Sequence, residues 1–313
     1  MRDSQRIEWI DALRGLGMIF VIIGHMTVPD FVTKLVYSFH MPLFFTISGF
    51  LYKNHFSKKW CLRKVDALMV MYFIWAVITL SIFLYIGKYQ LWGGLKALFS
   101  GNGIGVTWFF VCLFFVEIFG AFIVNKTKWM TNALNSIITI CSVALLGYLV
   151  PLLKITPVYK SNTIFAALAF WLFGYFMKNK WSQVGALHLI FSVISASFFW
   201  VQRVDMNSAQ FGNGFLFYGT ALGVIMLLFW MFQKFSIQWP PLVFIGRRSL
   251  EFMCLHSIIP MILTFIVIKF GCDVSKLVMR CVSLSIVVLA AWVIHKYSRV
   301  LSGRICLFQR LVK

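Results

Sequence analysis

Apolar runs of about 20 residues recur from one end of this chain to the other, each long enough to cross a hydrocarbon core as a helix. Ten can be marked, at 9–28, 35–52, 66–87, 106–125, 134–152, 162–178, 184–201, 211–233, 249–270 and 277–297. Hydrophobic residues make up 61% of the sequence and charged residues 12%, with 34 Phe among 313 residues, a surface suited to lipid rather than water. The runs are apolar on all sides and do not alternate in polarity, which argues against a β-barrel. The connections are too short to hold a soluble domain. The expected fold is therefore an all-α polytopic membrane protein, a single transmembrane domain over 1–313 built as one bundle of about ten helices. Charges interrupt the first run and no small-residue cleavage site follows, so it reads as a span and not as a signal peptide.

The net charge of +20 could suggest nucleic acid, but its distribution points to membrane topology instead. Sorted by side under the ten-span arrangement, nineteen Lys and Arg fall on the side holding both termini and nine on the other. Such an excess places the termini in the cytoplasm. No nucleic-acid partner is expected; the bilayer is the partner the composition demands. The seven cysteines, at 61, 112, 141, 254, 272, 281 and 306, are scattered and lack any Cys-x-x-Cys pair, so neither a disulfide framework nor a metal site is expected.

Ionisable groups at membrane depth cost several kcal/mol, so they are paired or functional by default. Here they are Asp11, Arg14 and His25 in the first run, Glu117 in the fourth, Glu251 and His256 in the ninth, with His40 towards the outer end of the second. Arg14 and His25 are eleven positions apart, which leaves them only about 20° apart around a helix and roughly 16 Å apart along it. Asp11, three residues before Arg14, can pair with it. One helix face thus offers a cation near the cytoplasmic end and an imidazole near the far end, with Gly15 and Gly24 alongside to admit a ligand or a second helix. The alternative is a snorkelling arginine paired with Asp11 and a satisfied buried histidine.

Arg-x10-His in the first run is followed by "YSFHMPLFFTISGFLYK", the basic stretch "KKWCLRKVDALMVMYFIW", "GNGIGVTWFFVCLFF" and "FIGRRSLEFMCLHSIIP". In that order, over nearly the whole chain, these segments resemble acyltransferase family 3, polytopic membrane enzymes that O-acylate cell-surface sugars. There are departures: Asp66-Ala67 and Met71 stand where further basic residues and a proline are common, and "WFF" replaces "WFL".

The resemblance implies a multi-pass enzyme of the bacterial inner membrane with acetyl-CoA as donor substrate and no permanently bound cofactor. Its acceptor is a sugar hydroxyl of a surface polysaccharide or its polyprenyl-linked precursor. His25 then acts as general base or transient acyl carrier, Arg14 and the basic residues Lys59, Arg63 and Lys64 hold the donor's phosphates, and His40 orients the acceptor or transition-state oxygen. Trp108 is a sugar platform or an interfacial belt residue, Glu117 a structural anchor or partner of an internal cation, and His256 a further supporting residue. Arg247, Arg248 and Glu251 are expected to form one structural cluster through i,i+3 and i,i+4 spacing. The competing reading from a different class is a transporter or flippase of a glycan or anionic solute, although no self-similarity between halves of the chain supports it.

Overall fold

The computed structural model describes residues 7–154, 157–178, 180–181, 184–304 and 307–308. Arg2, Arg6, Arg310 and Lys313 of the charge distribution, and Cys306, lie outside the described residues. Twelve of the described segments form α1 (Glu8–Gly24), α2 (Asp30–Leu51), α3 (Lys58–Lys64), α4 (Met71–Tyr85), α5 (Leu91–Phe99), α6 (Trp108–Lys126), α7 (Ala133–Leu149), α8 (Ser161–Lys178), α9 (Ala186–Ala196), α10 (Gly214–Lys234), α11 (Pro240–Arg247) and α12 (Ser249–Lys269); α13 (Lys276–Tyr297) is the last helix. A π-helical segment, Val65–Val70, joins α3 to α4 as one continuous run.

Six of these runs are long and apolar enough to cross a membrane: Lys58–Tyr85, Gly105–Lys126, Ala133–Leu153, Gly214–Lys234, Ser249–Lys269 and Lys276–Tyr297. The protein is thus a multi-pass helical membrane protein. Each of the other expected runs is also helical, as α1, α2, α8, and α9 with the 3-10 turn Ser197–Trp200. Two of these, α2 and α8, bury much of their length within the protein, so less of their surface has to suit lipid. Three short helices, α3, α5 and α11, arise in stretches expected to be connections. Ser57 starts α3 by accepting a hydrogen bond from the Trp60 amide at 3.2 Å. Pro240 opens α11, a position where the missing N–H costs nothing.

The chain gathers into two compact units. The first comprises Met1–Phe56, Phe115–Thr156 and Asn162–Arg247. Its helices meet through glycines. A Cβ added at Gly15 would fall on the Leu242 carbonyl, and one at Gly246 on the Asp11 carbonyl, so α1 and α11 cross backbone to backbone. In the same way Gly49 of α2 faces the Trp171 carbonyl of α8, and Gly174 of α8 faces the Thr46 carbonyl of α2. Gly120 of α6 makes room for the Trp171 ring itself.

The second unit comprises Ser57–Phe114, Pro157–Ser161 and Arg248–Lys313. Here α12 packs on α13, and the chain beyond α13 is tied back to the α3–α4 run. Trp75 Nε1 donates to the Leu301 carbonyl at 3.3 Å, and the buried Asp66 carboxylate accepts from the Phe308 amide at 3.0 Å. Asp66 belongs to the π-helical segment, so its departure from the family's basic pattern has a structural use.

Gly246→Ala and Gly174→Ala should each destabilise the protein by about 1–3 kcal/mol, because a methyl there meets backbone that cannot move aside. Gly93→Ala, with nothing within 4 Å of its Cβ position, is the matched control. Thermal melts of the three variants in one detergent check this; equal melting temperatures would refute the close crossing.

Candidate functional site

The first unit carries the ionisable stripe. Met26–Pro29 and His25 connect α1 to α2, and a connection this short makes the two helices neighbours. Gly24 fixes their level: its Cβ position lies 3.1 Å from both Tyr37 and Val36. His25 caps the C-terminal end of α1, its amide shared between the Val21 and Ile22 carbonyls, and its side chain is exposed.

His40 differs from its expected setting. α2 begins at Asp30, with Pro29 as N-cap, five residues before the expected start, and His40 therefore sits mid-helix and buried. Its Nδ1 lies 2.7 Å from the Val36 carbonyl. A carbonyl only accepts, so in the neutral ring Nδ1 carries the proton and Nε2 keeps its lone pair. The Tyr37 ring meets His40 edge to face at 5.1 Å, and His25 and His40 are close enough to act on each other electrostatically. The two histidines thus belong to one cluster.

At the other end of α1, Asp11 is buried, and its carboxylate accepts from Arg247 Nε at 3.3 Å, with Arg14 further away at 4.0 Å. Arg247 also binds Glu8 at 2.7 Å. The expected Asp11–Arg14 pair is therefore secondary to a pair between α1 and α11. Arg14 keeps a third of its side chain exposed. Glu117 of α6 is buried and takes a hydrogen bond from the Ser48 hydroxyl of α2. A cavity of about 650 Å³ between α7, α8 and α10 is lined by Tyr148, Phe170, Phe215 and Tyr218 among others, with no acid, lysine, arginine or histidine. It is an apolar groove, separate in character from the stripe.

The remaining expected residues fall in the second unit. Lys59 and Arg63 lie one turn apart on α3 with exposed side chains, while the Lys64 ammonium sits over the Trp60 ring at 5.3 Å. Lys59 and Arg63 form the outward cationic face of that helix. Trp108 is buried at the start of α6, and Lys160 covers one face of its indole at 5.4 Å. His256 is buried in α12 with Nδ1 3.1 Å from the Phe252 carbonyl. Buried Glu251 pairs with His295 of α13 at 2.7 Å, a histidine with no expected role. Helical spacing predicted a cluster of Arg247 with Glu251; each instead binds a residue remote in sequence.

Buried ion-paired groups inside a multi-pass helical bundle define a membrane protein whose polar residues do work at depth. A family model for an acyltransferase domain, acyltransferase family 3, matches residues 7–296. The chain belongs to that family and is a membrane acyltransferase, which requires an acyl donor and an acceptor in or at a bilayer. No curated protein and no solved structure matches the chain.

Sequence spacing missed Tyr37, Ser48 and His295, and it offered Arg247 the wrong partner. Only for the start of α2 was a signal present, in the Pro29-Asp30 pair at a helix N-terminus.

Removing Arg247 leaves the buried Asp11 carboxylate short of its nearer donor, a loss on the order of 1–3 kcal/mol. A double-mutant cycle of Asp11→Asn and Arg247→Gln, read by thermal unfolding in detergent, should show the two effects to be non-additive. Strict additivity would mean the pair contributes nothing.

Proposed function

We propose that this chain is an O-acetyltransferase of the bacterial inner membrane. It moves an acetyl group from cytoplasmic acetyl-CoA to a sugar hydroxyl of a surface polysaccharide or its polyprenyl-linked precursor. It works as one transmembrane acyltransferase domain over 1–313, with about ten spans and cytoplasmic termini. The observation that carries this reading is the arrangement at the α1–α2 junction: Arg14 on α1 and His25 just past its C-terminal end, at the level of Val36 and Tyr37 of α2, with His40 one turn on.

In this reaction the acceptor hydroxyl oxygen attacks the thioester carbonyl carbon while His25 takes the hydroxyl proton. The C–S bond then breaks, and the imidazolium returns the proton to the leaving thiolate. The end of α1 supports this role by placing the His25 ring just beyond the last helical turn, at the level of Val36 and Tyr37 of α2. His40 is fixed by the Val36 carbonyl, and its unprotonated Nε2 accepts a hydrogen bond from a neighbouring hydroxyl of the acceptor, as a positioning residue.

Arg14 meets the donor, its guanidinium suited to paired contacts with phosphate. Asp11 supports Arg14 from 4.0 Å while held by Arg247. Lys59, Arg63 and Lys64 are a second donor contact, testable separately from Arg14. Glu117 supports the site by fixing α6 on α2 through Ser48. Trp108 and His256 are supporting residues.

Mass spectrometry of the host's surface glycans, with and without the gene, tests this reading. We expect one acetyl group per repeat to disappear on deletion and to stay absent with His25→Ala, whose transfer rate should fall by about 100-fold or more. Arg14→Ala should weaken acetyl-CoA binding instead. Unchanged glycans, or a His25→Ala strain that acetylates normally, would rule the reading out.

A further inference from the structure

Between α9 and α10 the chain folds back on itself in a tight turn. Asp205 and Gln210 exchange backbone hydrogen bonds at 2.9 Å in each direction. The Asp205 carboxylate closes the turn from within, accepting from the Asn207 amide at 2.8 Å and from the Ser208 hydroxyl at 2.6 Å. Gln202 closes its base, accepting from the Asn213 amide at 2.6 Å and donating to the Asn213 carbonyl at 3.0 Å. Val204 and Met206 are buried, and the Thr163 hydroxyl of α8 donates to the Met206 carbonyl at 2.9 Å. The turn is therefore held rigidly against its own unit.

Arg203, preceding the inward-facing Val204, is exposed. Its guanidinium carbon lies 5.4 Å from the centre of the Tyr37 ring. The same Tyr37 contacts His40 edge to face at 5.1 Å, and Asp205 acts electrostatically on both His25 and His40. The Arg203 side chain is thus fixed on an aromatic shelf next to the histidine cluster. The nearest acid in sequence, Asp205, has both carboxylate oxygens engaged in its turn. Among the described residues, no ion pair occupies Arg203. A guanidinium held against Tyr37, which it also meets by a hydrogen bond, has less freedom left to lose, and the N–H groups that Tyr37 does not engage can bind an oxyanion.

We propose that Arg203, held on Tyr37 beside His40, is an anion-binding subsite for the acceptor, so that the glycan unit acetylated here carries a phosphate or carboxylate near its reacting hydroxyl. This rests on the reading of His25 and His40 as the reacting end of the site. The subsite would select among sugars that all present a hydroxyl, which His25 alone cannot do.

The test uses the full chain in nanodiscs of uncharged lipid, with glucose 1-phosphate, glucuronic acid and glucose as probes. The wild-type protein should bind the two anions about tenfold or more tighter than glucose, the effect of one charge-assisted contact. Arg203→Gln should erase that preference, and Arg203→Lys should keep part of it. Tighter binding of glucose 1-phosphate assigns the anion to a phosphate-linked acceptor; tighter binding of glucuronic acid assigns it to an acidic sugar. Equal binding of all three probes, no binding of any, or a preference that survives Arg203→Gln overturns the proposal. Acetyl-CoA binding is measured on the same samples. Its absence together with an intact anion preference would remove the donor reading and leave the subsite standing.

Discussion

A carboxylate at membrane depth must find a donor within the protein, because lipid supplies none. Among the described residues four acids are buried, Asp11, Asp66, Glu117 and Glu251, and each finds a donor far along the sequence. Asp11 takes Arg247, Asp66 the Phe308 amide, Glu117 the Ser48 hydroxyl and Glu251 the His295 ring. The partners are separated by 236, 242, 69 and 44 residues respectively, so every one of these bonds closes a long loop. Breaking any of them takes a donor from a buried carboxylate, which makes these few contacts more demanding than the many apolar ones around them.

The close helix crossings depend on the same constraint. Lipid tails are as apolar as leucine, so burial alone gives helices little reason to associate within a bilayer. Gly15 and Gly246 bring α1 and α11 into backbone contact, and that contact sets Arg247 beside Asp11 and Glu8. The glycines and the ion pair therefore act as one device: the small residues permit the approach, and the charges fix its register.

How much of this was legible in the sequence follows from its range. Hydrophobic runs are local, and they gave the helical membrane class and the position of the ten apolar segments. Partners for buried charges are not local. Spacing offered Arg14 to Asp11 and Glu251 to Arg247, since those residues are neighbours on a helix, whereas Arg247 and His295 come from other helices. The short helices α3, α5 and α11 escaped because none has enough apolar residues to show a period. Arg203 escaped for a different reason: it lies in a connection, where a basic residue looks like ordinary surface, and only Tyr37 beneath it gives it a direction.

A division of labour among the ionisable groups follows from these contacts. The buried acids are committed to holding segments together, so a proton moved at that depth would have to pass to a group whose charge the fold does not need. An imidazole meets that condition, since its neutral form is stable in an apolar setting and its cation can be supported by nearby dipoles. His40 is held by its own helix through Val36, leaving Nε2 outside the framework of structural bonds, and His25 sits where α1 ends and its carbonyls face outward. His295, by contrast, is tied to Glu251 and serves the framework. Separating the histidine that ties two helices together from those bonded to their own helix leaves His25, His40 and His256, and the proposed reaction draws on the two that meet at the junction of α1 and α2.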